Sequence, residues 1–360
     1  MPRINQTIID SVFYLYQTVE DARAGINPRG TGFLVSYKNW KSGLYQTSYY
    51  GVTNWHVALR GNSVVRINCR DGTSSIFDFS PDEWEFIAGG PDIAAIPLEL
   101  DPKIHSCNCI DTSLFLNDHQ LRNLSVGEDV FMLGLFVDHA GKTTNNPQAR
   151  FGNISMLASD SSKIQQKTGY EGQSYIVDTH SRPGFSGSPV FVYRTPLNDF
   201  GSDQELKGEA KSQSLGYQLS RRGDRSGREG SSFDVSIKVS NTLFALLGIH
   251  WGQFAERWEI YDDPSSNTKD ENNSLVKNGG YVEGVSGMTL VIPAHEIMKL
   301  LKLQKFAELR NMKIHKALKS QASHIVEESA TDKINVADEP DNSHREDFNN
   351  LLDAAVKRKQ

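Results

Sequence analysis

Pro183-Gly184-Phe185-Ser186-Gly187-Ser188-Pro189-Val190-Phe191 is the stretch on which the reading of this chain turns. A serine sits in a tight glycine turn, directly before a β-branched and aromatic run of strand type. A serine hydroxyl is a poor nucleophile and needs a base within hydrogen-bond reach. Upstream, Val52-Thr53-Asn54-Trp55-His56-Val57 delivers a histidine from the end of an expected strand. Imidazole titrates near neutrality and suits that role. Between the two, Gly90-Pro91-Asp92-Ile93-Ala94-Ala95-Ile96-Pro97 opens an apolar strand on an aspartate. A carboxylate there would fix the imidazole tautomer and stabilise imidazolium. The turn Gly184, Phe185, Ser186 is the expected oxyanion hole, with the N–H groups of Gly184 and Ser186 as its donors. Each segment alone is ordinary: such a histidine usually packs, such an aspartate usually caps, and Gly-x-Ser-Gly is common in turns. Together, in the order His, Asp, Ser, they make His56, Asp92 and Ser186 the candidate catalytic residues.

The chain around these segments reads as β. Short β-branched and aromatic runs alternate with Gly, Asn, Asp and Ser turns, as in Val12–Gln17, Gly32–Tyr37, Tyr49–Thr53, Val64–Asn68, Asp129–Phe136, Tyr175–Asp178, Val190–Tyr193, Leu243–His250 and Met288–Ile292. Strands at this frequency without intervening amphipathic helices predict a sandwich or barrel and not a βαβ fold. From about Thr195 to Ser240 the pattern dissolves into Gly, Ser, Asp, Arg and Lys, which predicts a flexible surface insertion. Asp262–Asn278 reads as a second long loop. After Pro293 the apolar spacing becomes helical over Ala294–Ser320. Residues 327–342 read as an acidic linker. Ser343-His344-Arg345-Glu346 is a capping-box pattern that starts a short amphipathic helix over 343–360.

With 360 residues, 38% of them hydrophobic, the chain buries a core without metal or disulfide staples. A net charge of -6 disfavours nucleic acid as the main partner. No apolar run is long enough to span a bilayer, the start lacks the build of a signal peptide, and three cysteines do not make a disulfide framework. These features predict a cytoplasmic protein with reduced thiols, no membrane association and no cofactor.

Gly30-Thr31-Gly32-Phe33-Leu34-Val35, the His56 and Asp92 segments and Gly184-Phe185-Ser186-Gly187-Ser188-Pro189 resemble trypsin-like (chymotrypsin-fold) serine peptidases, and within them the bacterial glutamyl endopeptidase and high-temperature-requirement branches. The resemblance covers roughly residues 10–303. It implies an all-β fold of two Greek-key six-stranded β-barrels with a C-terminal helical extension, the site lying in the cleft between them. The implied organisation is a peptidase domain over 1–303 with the polar insertion at about 195–240, a continuing helix over 304–326, the linker over 327–342 and the last helix over 343–360. Leu247-Gly248-Ile249-His250-Trp251-Gly252 resembles the glutamyl endopeptidase strand that lines the first specificity pocket. There the histidine contacts an acidic P1 side chain, assisted by a Ser or Thr five residues before the nucleophile, here Ser181. Viral chymotrypsin-like cysteine proteases carry a related Gly-x-His strand and prefer Gln. Imidazole can serve either side chain by donating to an oxygen. The resemblance therefore implies Ser181, His250, Trp251 and Gly252 as substrate-binding residues and Glu or Gln at P1, with Gly252 leaving room for substrate backbone. Phe185 stands where trypsin has the acid that pairs with a newly cut N-terminus, which argues against that activation switch.

The function expected is an intracellular serine endopeptidase acting on protein or peptide, regulated by a conformational step or by a protein partner docking on 343–360. Two alternatives stay open: a catalytically silent peptide-binding module on the same fold, and an esterase for small acyl substrates. Cys107-Asn108-Cys109 with His105 is one Cys-x-Cys without a second pair, so no metal site is assigned. The basic run near Arg221 reads as a solvated loop.

Overall fold

Val12–Tyr16 (β1) shows no polar alternation, and all of its residues are buried. A run of that kind suits a strand covered on both faces. In the computed structural model of the chain, β1 lies within a seven-stranded sheet. The structure describes residues 4–41, 44–106, 108–179, 181–194, 217–222, 232–237, 244–259 and 280–332. The other strands of this sheet are β2 (Gly30–Lys41), β3 (Leu44–Thr53), β4 (Val64–Asn68), β5 (Ser74–Phe77), β6 (Ala94–Leu98) and β7 (Ile110–Asp111). They run in the order β5-β4-β1-β2-β3-β6, with β7 parallel to β2. This half-barrel closes over a core that includes Phe13, Leu15, Leu34, Val65, Trp84 and Ile96.

The chain continues through β8 (Asp129–Gly134) and β9 (Gln148–Met156) into a small hairpin, β10 (Ile164–Gln165) and β11 (Glu171–Gly172). It then forms β12 (Tyr175–Asp178), β13 (Pro189–Tyr193), a separate hairpin of β14 (Tyr217–Arg222) and β15 (Ser232–Ile237), β16 (Phe244–Glu259) and β17 (Tyr281–Pro293). A closed barrel forms in the order β12-β17-β16-β13-β8-β9. Val130, Met132, Val177, Phe185, Val190 and Leu247 are among its core residues. The all-β double-barrel class is thus the fold adopted, with the second barrel closed by six strands and the first formed as a seven-stranded half-barrel.

Three local expectations change. The stretch read as an unstructured insertion contains the β14–β15 hairpin, whose strands pair in register from Tyr217–Ile237 to Arg222–Ser232. The helix after Pro293 is two helices, Ala294–Leu301 and Gln304–Asp332, separated at Lys302 and Leu303. The second runs past residue 327, where the linker was expected to begin. Within the first helix Ile297, Leu300 and Leu301 are buried, and in the second Phe306 packs edge-on to Tyr50 at 5.2 Å. The expected terminal helix over 343–360 and the loop Asp262–Asn278 lie outside the described residues.

By its contacts the chain divides into one unit of Met1–Asn39 with Thr47–Ala307 and another of Trp40–Gln46 with Glu308–Gln360. Every candidate site residue belongs to the first. Among the described residues no helix is long and apolar enough to cross a membrane.

Candidate active site

Strand β3 ends at Thr53, and Asn54 leads into a one-turn helix, Trp55–Ala58, that carries His56. The histidine is therefore presented by a helical turn just beyond the strand. Asp92 lies two residues ahead of β6, in the approach to the strand. It is fully buried, and His56 is 8% exposed. One Asp92 oxygen, Oδ1, accepts the backbone N–H of His56 at 2.9 Å; the other, Oδ2, lies 2.6 Å from His56 Nδ1. A carboxylate only accepts, so Nδ1 carries the proton and Nε2 presents its lone pair. The aspartate is itself held: its N–H donates to Gln166 Oε1 at 2.7 Å, and Asn54 Nδ2 donates to its carbonyl at 2.8 Å.

Ser186 is set by long-range ties to β2. Thr31 N–H donates to Ser186 O at 3.0 Å, and Thr31 Oγ1 donates to Gly184 O at 2.7 Å. The same hydroxyl accepts Leu135 N–H at 2.9 Å, and Thr53 Oγ1 donates to Thr31 O at 2.7 Å. Gly184 and Gly187 have φ of 99° and 89°, a conformation L side chains rarely adopt. At Gly187 a Cβ would also strike the Thr31 carbonyl. Phe185 lies between the two expected donors of the turn. Its N–H donates to Arg182 O at 3.2 Å, and its ring is fully buried in the second barrel core, so it anchors the turn and offers no donor. Gly184 N–H and Ser186 N–H have no acceptor among the described residues.

Ser181, Ser186, His250, Trp251 and Gly252 line one cavity of about 490 Å³. A bulge in β16 between His250 and Gly252 shifts its register against β17 there. His250 is buried, with Nε2 2.8 Å from Ser181 Oγ and Nδ1 3.3 Å from Leu290 O. The Leu290 carbonyl only accepts, so Nδ1 is the protonated nitrogen and Nε2 takes the Ser181 O–H. Burial, opposed in part by the bond to Leu290 O and aided by the Lys167 charge, holds the His250 pKa down to about 4, so the imidazole is neutral. Trp251 donates its indole N–H to Ser174 Oγ at 3.2 Å. A Cβ added at Gly252 would meet nothing nearer than Leu290 Cδ1 at 4.0 Å.

The contact that sequence reasoning missed is Lys167 Nζ, 3.1 Å from His56 Nε2. Lys167 lies at the tip of the β10–β11 hairpin. Desolvation at the site lowers its pKa from the ordinary lysine value and Arg60 adds to this, while the Asp92 charge opposes it. The structure thus joins His56 to Asp92 and gathers Ser186 with Ser181, His250, Trp251 and Gly252, but among the described residues the atom bonded to His56 Nε2 is Lys167 Nζ and not Ser186 Oγ.

Elsewhere, His105 Nδ1 accepts the Asp101 N–H at 3.0 Å, Cys69 is a buried thiol outside any disulfide, and Cys107 and His180 lie outside the described residues. Among the described residues no three His, Cys, Asp or Glu side chains gather as a metal site would need.

No protein-family model matches the sequence, and no curated protein matches it. Solved structures of the Rv3671c protease from M. tuberculosis are similar at low levels. Its active form has a TM-score of 0.39 at 15% identity, covering 82% of this chain and 81% of that chain. Its inactive form has a TM-score of 0.38 at 14% identity, covering 82% and 89%, and an inactive serine-to-alanine mutant gives 0.38 at 14%, covering 82% and 87%.

Proposed function

We propose that the chain is a serine endopeptidase in which Ser186 is the nucleophile, His56 the base and Asp92 the group that orients it. The observation that carries this reading is the two-point grip of the buried Asp92 carboxylate on His56, through Nδ1 and through the backbone N–H. That grip fixes the tautomer in which Nε2 can take a proton. In the reaction, Ser186 Oγ forms a bond to the scissile carbonyl carbon as its proton passes to His56 Nε2. The carbonyl oxygen gains the charge and meets the unpaired N–H groups of Gly184 and Ser186. Collapse breaks the C–N bond, and His56 returns the proton to the leaving amine. Water then enters by the same steps in reverse and frees the acid. Lys167 must leave His56 Nε2 before the first proton moves.

The cavity suits a P1 side chain bearing an oxygen, Glu or Gln. It is lined by Ser181, neutral His250 and two cations, Lys167 and Arg182, with no carboxylate among its described lining residues. The cytosol suits the reduced thiol of Cys69. A fluorophosphonate probe tests the reading. Covalent labelling of the wild-type chain that is lost in Ser186→Ala is expected, together with internal cleavage of peptides from a library. A wild-type chain that neither labels nor cleaves refutes it, and turnover of small esters without peptide cleavage assigns the site to an esterase.

A further inference from the structure

We propose that Lys167 is the specificity-determining cation of this site, capping His56 Nε2 in the free protein and moving to a carboxylate on the incoming substrate. The inference rests on the reading of Ser186 and His56 as nucleophile and base, and it adds who recognises the acid and what that recognition does.

The hairpin that carries Lys167 is fixed on both sides of it. Gln166 Oε1 accepts the Asp92 N–H at 2.7 Å, and Thr168 Oγ1 donates to Gly90 O at 2.9 Å. Inside the turn, Gln166 N–H donates to Tyr170 O at 2.8 Å and Gly169 N–H to Gln166 O at 2.9 Å. The lysine is thus held against the very segment that supplies Asp92. Its ammonium can only donate and His56 Nε2 only accept, so the 3.1 Å contact ties up the lone pair that would take the Ser186 proton.

Among the described lining residues, the basic groups other than Lys167 that could meet a carboxylate are His250 and Arg182. His250 has its single ring proton on Leu290 O, and its Nε2 is occupied by the Ser181 hydroxyl. It has no proton left to give a substrate carboxylate. Arg182, the other cation of the lining, lies over the Phe136 ring at 5.6 Å. Lys167 lines the same cavity as Ser186 and Ser181. A carboxylate there offers the ammonium an opposite charge as well as an acceptor, where the imidazole offers a neutral acceptor alone. Substrate binding and release of the base become one event. An amide side chain, being neutral, draws the lysine off less well.

The test separates binding from chemistry. Peptides identical except for Glu or Gln at the candidate P1 position are titrated calorimetrically into Ser186→Ala, with and without Lys167→Met. The fluorophosphonate labelling rate is compared between wild type and Lys167→Met. The Glu peptide is expected to bind about tenfold more tightly than the Gln peptide, the scale of one charge-assisted bond. Lys167→Met is expected to abolish that ratio, Lys167→Arg to retain it, and labelling of Ser186 to quicken severalfold once the cap is gone. A Glu to Gln ratio unchanged by Lys167→Met overturns the recognition role, and labelling that is unchanged or slower overturns the cap. If no form of the chain labels while the ratio still depends on Lys167, the peptidase reading fails and Lys167 stands as the cation of an acidic-peptide site.

Discussion

Thr31→Val removes one hydroxyl and nearly preserves shape, and its consequences can be worked out bond by bond. Thr31 Oγ1 donates to Gly184 O at 2.7 Å and accepts from Leu135 N–H at 2.9 Å, and the residue is fully buried. Each such bond contributes about 1 kcal/mol net, and a buried N–H left without an acceptor costs about 1–3 kcal/mol. The Leu135 N–H is that orphan. The expected loss of stability is therefore about 2–4 kcal/mol. The backbone bond from Thr31 N–H to Ser186 O survives the change, so the turn stays docked while the Gly184 carbonyl is released. The released carbonyl belongs to the Gly184–Phe185 peptide, and its rotation would loosen the Gly184 torsions that aim the adjacent Gly184 N–H at the oxyanion position. Urea unfolding measures the first effect and the second-order rate of fluorophosphonate labelling at Ser186 the second. Thr31→Ser, which keeps the hydroxyl, should restore the labelling rate. If Thr31→Val unfolds within about 0.5 kcal/mol of wild type and labels at the wild-type rate, the clamp does not set the turn.

Asp92→Asn should leave the fold intact, because the amide oxygen can still accept the His56 backbone N–H now taken by Oδ1. Its NH2 would face Nδ1 and impose the tautomer that protonates Nε2, so acylation should fall by about 10⁴, and a fall below about tenfold in labelling rate would argue against His56 as the base. His250 gives a pH prediction. Its folded pKa of about 4 lies below the ordinary histidine value of 6.5, so its stabilisation is complete above pH 6.5 and is lost as pH falls towards 4. The expected loss is about 3 kcal/mol. Unfolding free energies of wild type and His250→Gln should accordingly converge by that amount between pH 7 and 4, and a constant difference would show that the buried imidazole is not the titrating group.

How much of this was legible before folding depends on how local each signal is. The segments around His56, Asp92 and Ser186 could be found because each carries its own punctuation: a strand end, an apolar run, a glycine turn. Strands such as β1 and β13 were legible as continuous apolar runs, since nearly all of their residues are buried. Strand β9 was not, because only Ile154 of Gln148–Met156 is buried and its interior holds Gly152 and Asn153. Phe185 was placed in the oxyanion turn because it sits between its two expected donors. Only the barrel core shows that its ring, and not its N–H, is the working part. Thr31 stood in a quoted Gly-Thr-Gly run, yet its bond to Gly184 spans 153 positions, and nothing near Thr31 announces it. Lys167 is one of 38 basic residues and occupies an ordinary hairpin turn. Its role comes from Gln166 reaching 74 positions back to Asp92.

That last tie also decides what kind of gate the lysine is. A loop that covered the site as a body would have to break its anchors to open, and here those anchors are Gln166 on the Asp92 N–H and Thr168 on the Gly90 carbonyl. Breaking the first would disturb the aspartate that orients His56, so opening by hairpin motion would damage the machinery it exposes. A lysine side chain has its own freedom. Its four-carbon stem lets the ammonium leave Nε2 while the backbone on either side stays bonded, and an exposed side chain of that kind reorients in picoseconds to nanoseconds. The buried groups therefore hold the catalytic geometry rigid, and the one group that must move is an exposed cation whose bond to a neutral nitrogen is easily exchanged for one to an anion. If Lys167 acts as proposed, the substrate's own charge would uncover His56 Nε2 without movement of the hairpin.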